Sequence, residues 1–338
     1  MVDSGVPDAG LPPCTQDFCL WRNTQRTDLW FGAGVMGDSL SNAAAIFKVR
    51  GTTPRAATFA HGGQTPGLTM GTLVSMLGTG TEYGDLWFGR GTPDDYYFFT
   101  NSSLITAPIR RVQGGGLPVI VYQGTCGSTS FSPRSFAIVD DGGVLLVGGN
   151  DEGICEVEVN TFTSRIIQPE VNNGPGNDVN AIYKSPGDEI FFTTEDGYVY
   201  KVGVGRVSPQ LDTTAPGMLD IDGLSGDDVW AVGRDGVVAW RVPDGGFEQF
   251  TNLNETLYGL EVTTEGVFVG GFGAIFYRTA STDGGFQRYP LPTVGSVSRP
   301  YHLKGGPGYL HVVGDYGFNP PSGNPSGSFF MTFRTRTR

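Results

Sequence analysis

The chain reads as an all-β protein, a seven-bladed β-propeller. Three observations predict this: a short phrase that returns seven times, the interval at which it returns, and a turn-rich composition. The phrase is Asp28-Leu29-Trp30-Phe31-Gly32, then Asp85-Leu86-Trp87-Phe88-Gly89, then Asp228-Val229-Trp230-Ala231-Val232-Gly233. Weaker copies begin at Val144, Glu189, Gly266 and Tyr309. The central residues stand at 30, 87, 146, 191, 230, 268 and 311, so the intervals are 57, 59, 45, 39, 38 and 43 residues. Four-stranded propeller blades repeat at roughly 40–50 residues. The two long intervals place insertions in blades one and two. Gly supplies 53 of 338 residues and Pro 22, with only 17% charged side chains. That suits many short strands joined by tight turns, where Gly provides positive φ.

Each blade follows from alternation and turn chemistry. Blade five is the clearest: Met218–Leu224, a Ser-Gly-Asp-Asp turn, Val229–Gly233, an Arg-Asp-Gly turn, Val237–Val242, then Phe247–Phe250. Blade six repeats it over Leu257–Thr263, Gly266–Gly270, Ala274–Thr279 and Phe286–Tyr289. Blades three and four fit the same order over 135–168 and 179–211. Blade one is expected to use Phe18–Asn23, Asp28–Gly32, Ala45–Arg50 and Arg55–Ala60. Blade two is expected to use Leu68–Leu77, Asp85–Gly89, Tyr96–Asn101 and Pro108–Val112. Blade seven has Pro300–Lys304, Tyr309–Gly314 and Ser328–Arg338, so it lacks a fourth strand of its own. Either Gly10–Thr15 closes the ring, or blade seven is three-stranded, which is the reading the Pro-rich segment favours.

Residues 1–16 read as a spacer and residues 17–338 as the propeller. The polar opening fits a spacer that follows a processed export signal. No apolar run reaches the length of a membrane span, about 18 residues. Four cysteines permit three pairings. Cys14 with Cys19 would close a small loop at the start of the ring, and Cys126 with Cys155 would sit within one blade. An even count suits an oxidising compartment. The net charge of −12 speaks against a nucleic-acid partner, which needs a basic stripe. There is no Cys/His spacing for zinc, and only three histidines.

If the turns after the second strands share one face, they gather an acidic rim around the channel. Its members are Arg90, Asp94 and Asp95 in blade two, Asp151 and Glu152 in blade three, Glu195 and Asp196 in blade four, and Arg234 and Asp235 in blade five. Blade seven adds Asp315 and Tyr316, followed by Phe318 in a long Pro/Gly/Ser loop. Asp38, Asn150 and Phe272 would stand beside them. Such a rim suits a cationic or polyhydroxy ligand or a hard cation such as Ca2+; no cofactor is expected. The chain carries no G-x-S-x-G, P-loop or HExxH phrase, so no catalytic residue is singled out.

The Ser281-Thr282-Asp283-Gly284-Gly285 hairpin resembles the Asp-box turn of sialidase-type propellers, where it is structural. The Asp-Val-Trp-Ala-Val-Gly phrase at 228–233, with its echoes at 28–32 and 85–89, resembles bacterial exported propellers of the surface-lipoprotein kind. The resemblance implies an exported, cell-surface, outer-membrane-associated or extracellular protein. The expected function is a non-enzymatic binding or scaffold module, with a protein or carbohydrate recognised on the loop-bearing face. The alternatives are a glycan-active propeller enzyme, hydrolase or lyase, and a structural subunit of an extracellular assembly contacted through its blade edges.

Overall fold

The computed structural model describes residues 18–26, 29–40, 42–49, 55–60, 69–70, 86–92, 95–100, 108–114, 119–131, 133–139, 142–150, 152–169, 177–208, 217–242, 244–279, 285–291, 298–317 and 327–335. These form seven four-stranded antiparallel units. Blade one is Leu29–Ser39, Asn42–Val49, Arg55–Ala60 and Thr69–Met70; blade two is Leu86–Thr92, Asp95–Thr100, Ile109–Gln113 and Val119–Tyr122. The two join through one parallel bridge, Gly34 to Gly89. Blade three is Ser135–Val139, Val144–Gly148, Ile154–Glu158 and Thr163–Gln168; blade four is Val179–Lys184, Ile190–Thr194, Val199–Lys201 and Gly205–Arg206. Blade five is Met218–Ser225, Asp228–Gly233, Val237–Arg241 and Phe247–Asn252; blade six is Gly259–Thr263, Gly266–Gly271, Ala274–Thr279 and Gln287–Pro290. Blade seven is Ser298–Gly306, Tyr309–Tyr316 and Gly327–Thr335, completed by Phe18–Arg26. Each first strand lies beside the next, and Ser298–Gly306 lies beside Leu29–Ser39, so the ring closes as a β-propeller.

Ring closure corrects two expectations. Blade seven has four strands, and its fourth is Phe18–Arg26, paired antiparallel with Gly327–Thr335. Phe18 stacks on Phe333 at 4.7 Å and meets Tyr289 edge-on at 5.3 Å, which anchors the strand in the last blade. The segment Gly10–Thr15 lies outside the described residues. With Phe18–Arg26 used there, Leu29–Ser39 and Leu86–Thr92 become first strands of their blades instead of second. Blades one and two therefore shift by one strand from the expected register. The Asp-Leu-Trp-Phe-Gly phrase does not distinguish the two positions, because strands in the inner half of a blade are apolar on both faces.

The core is divided among the gaps between blades. Leu145 and Val147 pack toward blade two, and Leu146, between them, packs toward blade four. Val229 and Ala231 face blade four while Trp230 and Val232 face blade six. This is period-two alternation with both faces buried, so the phrase reads as continuous apolar sequence. Its Asp and Trp are coupled: Trp230 Nε1–H donates to Asp228 Oδ1 at 2.8 Å, two residues back on the same face. The indole is 3% exposed and stacks on Trp240, as expected of blade core. The closing Gly has a steric reason. A Cβ at Gly233 would stand 2.5 Å from the Gly217 carbonyl oxygen, and one at Gly270 would stand 2.6 Å from that of Pro300.

Disulfide Cys126–Cys155 ties the hairpin Thr125–Cys126 and Thr129–Ser130 to the third strand of blade three. Cys19 is also disulfide-bonded. Its expected partner, Cys14, lies outside the described residues.

Candidate functional site

The strand directions divide the expected rim between two faces. Turns after second strands open on one face in blades three to seven. In blade two, Arg90 lies in the first strand and Asp95 opens the second, so they flank the turn on the opposite face. Asp38, near the end of blade one's first strand, goes with them. The shared rim is thus corrected: blades one and two place these residues at the other end of the channel. Asp95 there holds the Arg111 guanidinium through two hydrogen bonds, 2.8 Å from Nε to Oδ1 and 2.5 Å from Nη2 to Oδ2. Asp94, Asp151 and Phe318 lie outside the described residues.

On the second-to-third-turn face, several expected residues are committed to internal contacts. Glu152 is buried, adopts φ 66°, and accepts from Asn177 Nδ2 at 3.1 Å. It thereby ties the turn after blade three's second strand to Asn177, just before blade four's first strand. Asp196 accepts from the Thr194 hydroxyl and from the Tyr200 hydroxyl, the latter at 2.9 Å. Burial, together with Asp196, pushes the Tyr200 phenol well above its usual range. Asp315 is buried and accepts from the Ser328 hydroxyl, while Tyr316 sits in the core between blades six and seven. Glu195 and Arg234 are exposed on this face, and Asp235 is half-buried in a left-handed turn position, φ 57°. Near Phe272, burial raises the Glu255 carboxyl, and the Arg288 charge opposes the shift.

The channel presents groups that the turn-based reading missed. A cavity of about 220 Å3 lies on the axis. Val35, Gly91 and Ile138 line one side, from blades one to three. Asp220, Asp222, Glu261, His302 and Lys304 line the other, from blades five to seven. The carboxylates also stitch blades together. Asp220 and Asp222 accept the backbone N–H groups of Leu260 and Val262 at 2.8 and 2.7 Å. Glu261 accepts from Gly305 N at 2.8 Å and from Lys304 Nζ at 3.2 Å. Asn180 and Ser135 bridge first strands with the opposite polarity, donating from Nδ2 to the Met218 carbonyl and from Oγ to the Val179 carbonyl. The signal in the sequence is Leu219-Asp220-Ile221-Asp222, whose acids alternate within a first strand and so share one face. Among the described residues, no three His, Cys, Asp or Glu side chains are grouped as a metal site requires.

A third region lies on the outside, between blades two and three. The outermost strand of blade two is Val119–Tyr122, with Val119 55% and Ile120 41% exposed. Beside it projects Phe162, 60% exposed, at the end of the turn before blade three's last strand. Phe162 separates two hollows. One, of about 350 Å3, is lined by Ile120, Tyr122, Thr125, Val157 and Ser164; the other, of about 370 Å3, by Arg111, Gln113, Val119, Val159 and Asn160. Val121 and Phe162 border both. The backbone at Phe162 has φ 56°, a left-handed conformation that is a genuine outlier for a bulky residue.

No protein-family model matches the chain, and no curated protein matches it in sequence. Solved structures resemble it in fold. A structure of YCF48 bound to a D1 peptide superposes with a TM-score of 0.63 at 14% identity, covering 96% of this chain and 97% of that one. The extracellular domain of BT4673 from B. thetaiotaomicron gives 0.60 at 11% identity, covering 92% of this chain and 39% of that one. Likeness at this identity establishes the propeller fold. No described helix is long and apolar enough to cross a membrane.

Proposed function

We propose that this propeller is a non-enzymatic protein-recognition module, exported to the cell surface, that binds its partner on the outer face between blades two and three. The observation that carries this is the exposed apolar group of Val119, Ile120 and Phe162 around two hollows. Contiguous exposed apolar surface is a mark of interaction sites. The Cys126–Cys155 bridge supports an oxidising compartment. The YCF48 structure carries a D1 peptide, which supports a peptide-recognition role for a ring of these proportions. Residues 1–16 would act as the spacer between this ring and the surface.

The test is co-purification from the native source with three baits: the unaltered protein, Phe162→Lys, and Phe272→Lys on the loop-bearing face. A partner retained by the unaltered protein and by Phe272→Lys, and lost from Phe162→Lys, is the expected result. Retention by Phe162→Lys with loss from Phe272→Lys returns recognition to the loop-bearing face and contradicts the proposal.

The axial cavity favours a second reading, a small cationic ligand with an apolar body. Its apolar wall faces a wall of three carboxylates and Lys304. Calorimetric titration with a small primary amine checks it: binding weakened by Asp222→Asn is expected, and no heat of binding removes this reading.

A further inference from the structure

The seam between blades seven and one is joined by a different chemistry from its neighbours. Ser135 and Asn180 donate across their seams, and neither side chain titrates. Asp220, Asp222 and Glu261 accept across theirs, and a carboxyl that gains a proton still accepts through its carbonyl oxygen. At the seam between blades seven and one the bond is made by an imidazole. His311 Nε2 lies 3.0 Å from the Ser39 carbonyl oxygen, 272 residues away in the chain. We propose that this seam is an acid-sensitive latch: protonation of His311 frees the Ser39 end of blade one's first strand from blade seven while the other blades stay folded.

Two observations carry it. The first is the surroundings of the ring. His311 is fully buried, with the Tyr309 ring at 4.8 Å and that of Phe330 at 6.0 Å. In the neutral form Nε2–H donates to Ser39 and Nδ1 accepts from the Thr332 hydroxyl at 2.9 Å. A second proton turns Nδ1 from an acceptor into a donor and places a charge where water does not reach. The charged groups on this side of blade seven do not offset it. Lys304 is the cross-strand partner of His311, and Arg334 lies two residues beyond Thr332; both are cationic. His302, opposite Val313, brings no negative charge. Asp315, four residues along the strand of His311, lies opposite Arg299 and accepts from Ser328. Among the described residues, blade one brings the Ser39 carbonyl.

The second is the strand that the latch holds. Leu29–Ser39 lies against the first three strands of blade seven. Its pairing with Asn42–Val49 breaks register three times, the last between Gly37 and Ser39. The first strands of the other blades break register with their partners at most twice. A ladder so interrupted, with Gly at 32, 34 and 37, yields locally at lower cost than a regular one.

The working range follows from the two states. In the open state the imidazole meets water and regains its ordinary value of 6.5; in the closed state burial, helped by Lys304, holds it at about 4. The latch is therefore tightest above pH about 6.5, and its open population rises about tenfold per pH unit as pH falls toward about 4.

The experiment traps a buried thiol in the full chain. Val313 is fully buried and, two residues from His311, lies on the same side of the strand. No described native cysteine is free. The thiol of Val313→Cys should react with dithiodipyridine about 30-fold faster at pH 5 than at pH 7.5, relative to a small reference thiol. That of Val232→Cys, fully buried between blades five and six, should show no such rise. Adding His311→Gln to Val313→Cys should remove the rise, since Gln keeps a donor and an acceptor but does not titrate. If that pair does not fold, Lys304→Gln takes its place: without the neighbouring charge, closed His311 protonates more readily and the rise shrinks. Equal trapping at both pH values overturns the latch. A parallel rise in Val232→Cys makes the event general acid unfolding and overturns it too. A rise that survives His311→Gln, or is undiminished by Lys304→Gln, puts the sensor elsewhere.

Discussion

His311 shows how much one buried side chain can couple to the ring. It lies in blade seven's second strand, fully buried, with Nδ1 2.9 Å from the Thr332 hydroxyl and Nε2 3.0 Å from the Ser39 carbonyl of blade one. The carbonyl can only accept, so Nε2 holds the proton and Nδ1 accepts from Thr332. Burial lowers its pKa to about 4, with the Lys304 charge adding to the effect. An unfolded histidine titrates near its ordinary value of 6.5. The stability contributed by neutral His311 is therefore complete above pH about 6.5 and is lost as pH falls through about 4. The loss amounts to about 3 kcal/mol at the acid end. Denaturant unfolding at a series of pH values should show it, and His311→Gln should flatten that part of the profile. An unchanged slope in His311→Gln contradicts the assignment. At the repeat, Trp230→Ala should cost about 3–5 kcal/mol by emptying the gap between blades five and six. Asp228→Ala should cost less, since it leaves one indole N–H unpaired, about 1–3 kcal/mol.

At the scale of strands, the first strands are joined side by side by carboxylates as well as by packing. Asp222→Ala removes the acceptor for Val262 N–H and should destabilise by about 1–3 kcal/mol, read from urea unfolding. A near-neutral Asp222→Ala would mean that water replaces the bond and that the carboxylate is there for a ligand. Part of this is legible in the sequence. Blades three to six follow the strand order read from alternation and Gly-rich turns, because each has a first strand that is distinct from the phrase. Blades one and two depart from it because Asp-Leu-Trp-Phe-Gly is apolar on both faces and suits either inner position. That one-strand shift puts Arg90 and Asp95 on the opposite face, so no single rim gathers them. Asp220 and Asp222 are visible as alternating acids, but an acid in a strand carries no mark of which blade gap or channel it faces. Phe162 is hidden differently: only the backbone shows that it occupies a glycine's conformation.

The whole ring depends on a junction between distant segments. Phe18–Arg26 covers the edge of Gly327–Thr335, whose Phe-Phe-Met-Thr-Phe run would otherwise be an open apolar strand. Phe18→Ala should lower stability by about 3–5 kcal/mol and broaden the unfolding transition, as the aromatic cluster with Tyr277, Tyr289 and Phe333 loses its centre. A sharp, unshifted transition contradicts closure through this strand. The closed ring leaves its rigid outer surface as a platform. Among the described outer strands longer than two residues, Val119–Tyr122 alone is free of charge and Pro. The central claim is that this surface is the protein's contact. Hydrogen exchange of the co-purified complex against the protein alone tests it most directly. Slowed exchange confined to 119–122 and 159–164, with the loop-bearing turns at 195–197 and 234–236 unchanged, is the predicted result. Protection of those turns, with 119–122 exchanging as in the isolated protein, contradicts it.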